Sequence, residues 1–154
     1  MTKNNIWDEF DNNFDTKALQ KEIETAAEND SDYREVPEGK YEVAVEKIEL
    51  VKSKTKGEPM VSIWFRVVGE NDPYKGCMLF MNQVITQGFQ IHIVNEFLRS
   101  METNLDIQFY TYAQYGNLLM DVAEAVDGTL EFALDYSKND KGYNVYKITE
   151  VFEA

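Results

Sequence analysis

From Gly39 onward, apolar residues recur at every second position, the period of a strand with one face buried. Tyr41, Val43 and Val45 share one face, and beyond Glu46-Lys47 the apolar positions move to Ile48 and Leu50. Such a phase slip inside one long strand predicts a bulge, which bends the strand and helps a small sheet curl toward a barrel. "KSKTKGEP" reads as a hairpin loop with Gly57 as its turn residue. Val61, Ile63, Phe65 and Val67 then make the inner face of a second strand, leaving Met60, Ser62, Trp64 and Arg66 outside. "GENDPYKG" is dense in turn formers, and "CMLFMNQVI" follows as a third strand.

The period then lengthens to that of a helix. Thr86 is the predicted N-cap, and Phe89, Ile93, Phe97 and Met101 form one stripe with Val94 and Leu98 beside it. A second helix is predicted from about Ala113 to Val126, with Tyr115, Leu119, Val122 and Val126 inward and Gly128 as its stop. "TLEFALDY" alternates again with Leu130, Phe132 and Leu134 inward; "SKNDKG" is a second hairpin loop, and "YNVYKITEVF" a fifth strand with its own phase slip. Upstream, Trp7, Phe10 and Phe14 recur at helical spacing, as do Leu19, Ile23 and Ala27. The predicted organisation is a helical arm over residues 1–35 and a domain over residues 36–154.

Three strands, a helical insertion and two more strands make a mainly β, α+β chain in the order of the OB-fold. That fold is a five-stranded Greek-key barrel that binds its ligands on strands two and three and on the loops joining strands one to two and four to five. Here those loops are "VKSKTKGEP" and "YSKNDKGY".

Charge sharpens this picture. The chain of 154 residues holds 28 acidic and 15 basic side chains, a formal net charge of −13. Residues 1–35 contribute 10 acids and 4 bases, so the arm is strongly acidic. Of the eleven bases that remain, five lie on the two loops: Lys52, Lys54, Lys56, Lys138 and Lys141. An acidic surface argues against coating duplex DNA, whereas a local basic track is compatible with it, because potential depends on where the charges sit. Single-stranded nucleic acid is held by such a track together with rings on which bases stack. Trp64 and Arg66, outward on strand two, are the leading ring and charge, and Tyr136, Tyr143 and Tyr146 flank the second loop. Phe80, outward on strand three with Met78 and Asn82, is secondary to them. If the helices covered that face, Trp64 would be core instead.

Other chemistries lack their parts. His92 is the only histidine and Cys77 the only cysteine, so neither a zinc site nor a Ser-His-Asp arrangement is expected, and no disulfide forms within the chain. "DYSKNDKGYN" departs from a calcium loop, with Asp140 at position six and no closing glutamate. The expectation is a binding protein that is not an enzyme, with no cofactor and no metal. No apolar run approaches the roughly 20 residues of a membrane span, and the polar, acidic start is unlike a secretory signal. With a single cysteine, the expected setting is intracellular.

Four stretches, "VPEGKYEVAVEKIEL", "KGEPMVSIWFRVV", "YKGCMLFMNQVI" and "GFQIHIVNEFLRS", resemble a family of small phage and prophage proteins. "FDNNFDTKALQKEIETA" resembles the acidic start of the same proteins. They are encoded among replication and recombination functions and are taken to be single-stranded DNA-binding proteins. The resemblance implies single-stranded DNA as partner and supplies no site residues. The alternative is a protein-interaction module that captures a host or phage protein, for example to inhibit a host defence. Trp7, Phe10 and Phe14 suit an arm that recruits a replication or recombination partner, packs on the domain or folds back over the basic groove, and the oligomeric state stays open.

Overall fold

The structure is a computed structural model that describes residues 11–13, 15–28 and 35–154. The chain divides into two units, Met1–Arg34 and Glu35–Ala154. In the first, α1 spans Thr16–Glu28. Asp15 starts it, its carboxylate accepting from the Ala18 N–H at 3.1 Å as N-capping residues do. Leu19 and Ile23 are exposed on this helix. Trp7, Phe10 and Phe14 lie outside the described residues.

The second unit is built on five antiparallel strands: β1 Gly39–Lys52, β2 Pro59–Val67, β3 Met78–Val84, β4 Leu130–Lys138 and β5 Asn144–Glu153. Two helices, α2 Gly88–Arg99 and α3 Tyr112–Val126, fall between β3 and β4, where the periodicity predicts them. The strand order across the sheet is β3-β2-β1-β4-β5. β1 pairs with β4 through Gly39–Val43 and with β2 through Val43–Lys52, so Val43 faces both Val67 and Phe132. Both phase slips are bulges. Val45 pairs with Phe65 and Lys47 with Trp64, leaving Glu46 as the extra residue, and on β5 Thr149 is passed over between Ala133 and Leu134. Each bulge keeps the apolar side chains on one face across a bend.

The core lies between the concave face of this sheet and the two helices. Val43, Ile48, Ile63, Phe65, Phe132 and Leu134 meet Val94, Phe97 and Leu98 of α2 and Tyr115, Leu119 and Val122 of α3, all buried. The inner face predicted for α3 is observed, and Gly128 ends it at φ 67°, a left-handed conformation that glycine adopts without strain. For α2 two details differ from the expectation. The cap is Gln87, one residue beyond Thr86, because the Gln90 carbonyl oxygen reaches back to accept from both backbone N–H groups. The buried stripe is Val94, Phe97, Leu98 and Met101, while Phe89 (62% exposed) and Ile93 (46%) face outward.

The sheet does not close into the expected barrel; it is open, with β3 and β5 as its edges. Side chains stand in the seam where a closing ladder would run. The Tyr146 hydroxyl of β5 donates to the Phe80 carbonyl of β3 at 2.9 Å, and its ring meets Phe65 at 6.1 Å. Alongside, α2 leaves a groove of about 420 Å³ whose lining includes Met81, Ile93, Phe97, Tyr146 and Ile148. Among the described residues no helix is long and apolar enough to cross a membrane.

The bulge generates a sharp expectation. Deleting Glu46 shifts one half of β1 by one residue and turns Tyr41 and Val43 away from the core, so thermal unfolding followed by circular dichroism should show the domain melted or severely destabilised. Glu46→Gly keeps the residue count and should keep the transition, losing only the ion pair that Glu46 makes with Arg66. Equal melting of the deletion and the parent chain would rule out this role for the bulge.

Candidate nucleic-acid interface

On the outer face of the sheet the ladders fix two adjoining rows. One reads Lys47, Trp64, Phe80 across β1, β2 and β3; the next reads Glu49, Ser62, Asn82. Trp64 and Phe80 meet edge to face with centroids 5.3 Å apart. The Trp64 indole N–H donates to Ser62 Oγ at 3.1 Å, and Ser62 Oγ donates onward to Asn82 Oδ1 at 2.8 Å. The relay orients both the indole and the Asn82 amide. Trp64 is half-buried, so it lies neither in the core nor fully in solvent.

Lys47 sits over that ring, its Nζ 4.8 Å from the centroid, and also pairs with Glu49 at 2.9 Å. A cation over a ring at an exposed site contributes about 0.5–1 kcal/mol. A base stacked on an aromatic side chain contributes about 1–3 kcal/mol. In the flanking row Arg66 is committed within the protein: its Nε donates to Glu46 at 2.6 Å and Nη1 to the Gly76 carbonyl at 2.9 Å. The charge predicted at Arg66 is present but already paired.

The lysines differ from Arg66. Four of the eleven bases of Glu35–Ala154 form ion pairs, Lys47 with Glu49, Arg66 with Glu46, Lys75 with Glu70 and Arg99 with Glu96. Among the described residues Lys52, Lys54, Lys56, Lys138 and Lys141 pair with no carboxylate, and all five are exposed. The first loop is tied at its base by Ser53, whose N–H donates to the Glu58 carbonyl at 2.8 Å and whose Oγ accepts from Glu58 N–H at 3.0 Å. Gly57 turns it at φ 65°, which leaves Lys54 and Lys56 on the tip. In the second loop the Asn139 side chain accepts from the N–H groups of Lys141 and Tyr143, both at 3.0 Å.

The two loops stand at opposite ends of β1. Lys52 ends that strand, whereas Gly39 at its start pairs with Tyr136 just before the second loop. At about 3.3 Å per residue, the fourteen residues of β1 put roughly 40 Å of strand between them. The lysines therefore bracket the aromatic row and do not converge on one point.

The three tyrosines separate. Tyr143 is 68% exposed. Tyr136 is buried, its ring stacked on Tyr146 at 5.1 Å, so the platform predicted there belongs to the core. Tyr146 lies half-buried in the seam of the sheet. Burial pushes its phenol up from 10.0 to about 12; Tyr136 adds to the rise and a hydrogen bond with Asn144 opposes it. Burial also pushes Tyr115 to about 12, with its hydroxyl donating to Asn95 Oδ1 at 2.6 Å. Among the described residues no group of three His, Cys, Asp or Glu side chains is arranged to hold a metal ion.

A family profile described as "Protein of unknown function (DUF669)" matches residues 23–128, which takes in the first lysine loop, the aromatic row and both helices of the domain. A search of curated proteins finds no match.

The tyrosines provide a pH test. Folded Tyr115 and Tyr146 hold their protons to about 12, against 10.0 when unfolded, so the folded chain binds more protons in that interval. Stability is then full below pH 10 and falls as pH rises toward 12. Urea denaturation at stepped pH should show that decline, and Tyr146→Phe should make it shallower. A flat profile across the interval would refute the assignment.

Proposed function

The chain belongs to the DUF669 family, whose description names no activity, and we propose from the geometry of its own residues that it binds single-stranded DNA without sequence preference. One observation carries the reading: two loops of exposed lysines, unpaired among the described residues, bracket an outward row of Trp64 and Phe80 in a chain of net charge −13. Potential depends on where charges sit, so clustered lysines support a local positive track on an acidic protein.

The sheet order supports an OB-like assignment. β3-β2-β1-β4-β5 is a five-stranded Greek-key arrangement left parted between the third and fifth strands, and the fold is known in partly open form. Its ligand surface is the face of strands two and three with the two loops that carry the lysines here. An extended strand would run from one loop to the other, its phosphates on the lysines and its bases on Trp64 and Phe80, with Tyr143 beside the second loop. The roughly 40 Å of β1 contour that links the loops suits several nucleotides, within the range of about 4–16 for one such fold. Resemblance in the β1, β2, β3 and α2 segments supports a phage or prophage replication or recombination system in a bacterial cytoplasm. The reading needs no catalytic group and no cofactor.

A second reading, a protein-interaction module, draws on a different surface, the outward Phe89 and Ile93 beside the groove at the seam. Gel retardation of labelled single- and double-stranded oligonucleotides at low and moderate salt separates the two. The single strand should be retarded preferentially, and its affinity should fall with salt. Alanine at any one of Lys52, Lys54, Lys56, Lys138 or Lys141 should weaken binding about equally across sequences and flatten the log–log salt slope by about 0.7. Trp64→Ala should lose about 1–3 kcal/mol of binding with the slope unchanged, provided thermal unfolding shows an intact fold. No retardation of single strands at low salt would reject the reading and leave the protein-interaction module in its place.

A further inference from the structure

Lys47 lies outside both lysine loops, yet it occupies the ring on which a base would stack. Its ammonium is 4.8 Å from the Trp64 centroid and 2.9 Å from a Glu49 carboxylate oxygen. An ammonium and a base cannot share one face of an indole. We infer that Lys47 is a further nucleotide-binding residue that exchanges partners: a base takes its place over Trp64, and the ammonium turns from the ring and Glu49 to the phosphate of the same nucleotide. The inference rests on the single-strand reading above.

Three features carry it. Lys47 and Trp64 are direct partners in the β1–β2 ladder, so the lysine stays beside any nucleotide stacked on that ring. The interactions it leaves are weak ones, because both charged side chains are substantially exposed, 43% for Lys47 and 37% for Glu49, and exposed pairs contribute little. The phosphate offers the ammonium one anionic oxygen in place of another, and the flexible four-carbon stem of lysine lets the ammonium swing without moving the strand. Glu49, released, remains in water. In the free protein the same arrangement keeps the ring covered and a carboxylate of the outer face neutralised.

Trp64 reports on the exchange directly. The chain has two tryptophans, so Trp7→Phe in the full chain leaves Trp64 as the only indole. Oligothymidylate is titrated against this protein, reading Trp64 emission and, by retardation, affinity at a series of salt concentrations. Lys47→Met, which keeps the stem without the charge, should retain the change in Trp64 emission while flattening the salt slope by about 0.7, one phosphate contact on a single strand. Lys47→Arg should restore the slope. Glu49→Gln, which removes the competitor for the ammonium, should tighten binding. A full slope in Lys47→Met, or unchanged or weaker binding in Glu49→Gln, overturns the inference while leaving the loop lysines standing. If the parent chain shows neither retardation nor a change in emission, the single-strand reading falls and this inference with it.

Discussion

The extra residue at Glu46 keeps a long strand that serves two partners facing a single core, and most of the domain's arrangement follows from that. β1 pairs with β4 up to Val43 and with β2 from Val43 onward, and the bulge lies three residues further on, inside the β2 ladder. Without the inserted residue the two halves would present opposite faces to the core, since side chains alternate with a strict period of two. With it, Tyr41, Val43 and Ile48 all bury on one side of a bent strand. Because β1 reaches from one loop to the strand end beside the other, its two ends also set where the lysine loops stand. The inserted residue is itself used, as its carboxylate holds Arg66 on the outer face.

Much of the fold was legible because phase is a local property. The slips in β1 and β5 can be read without knowing the partner strands, and α3 shows its inner face because four apolar residues recur over a clean period between a cap and a glycine. The seam was not legible. Whether β3 and β5 meet depends on how far the sheet curls and on what stands between them; Tyr146 reaches across that space and α2 lines a groove beside it, both from distant parts of the chain. The stripe on α2 was ambiguous for a related reason. Phe89, Ile93 and Val94 offer two overlapping apolar faces, and packing against the sheet selects the one through Val94 and Leu98.

The candidate site was legible to the extent that turn grammar marks loops: glycine and the polar clusters locate both hairpins, and the lysines come with them. Tyr136 illustrates a signal that was present and outweighed. The alternation that turns Phe132 and Leu134 inward reaches Tyr136 two residues later, so its burial follows from the same period. Lys47 was hidden until the register was known, because counting back from the hairpin puts it opposite Trp64 only once the place of the bulge is fixed. Arg66 shows the reverse, a charge correctly placed outward whose partner arrives from the bulged residue.

An open sheet carries a hazard that a closed one does not. The outer ladders of β3 and β5 present rows of backbone donors and acceptors, which template the addition of strands from other molecules and lead toward fibrillar aggregates. The features that part the two edges also blunt them. β3 is only seven residues long, and Tyr146 already consumes the Phe80 carbonyl on its free side. β5 is broken by its bulge at Thr149 and bears exposed charges at Lys147, Glu150 and Glu153. A foreign strand would have to follow that kink and bury those charges without partners, so the unclosed seam persists without becoming a site of strand-by-strand growth.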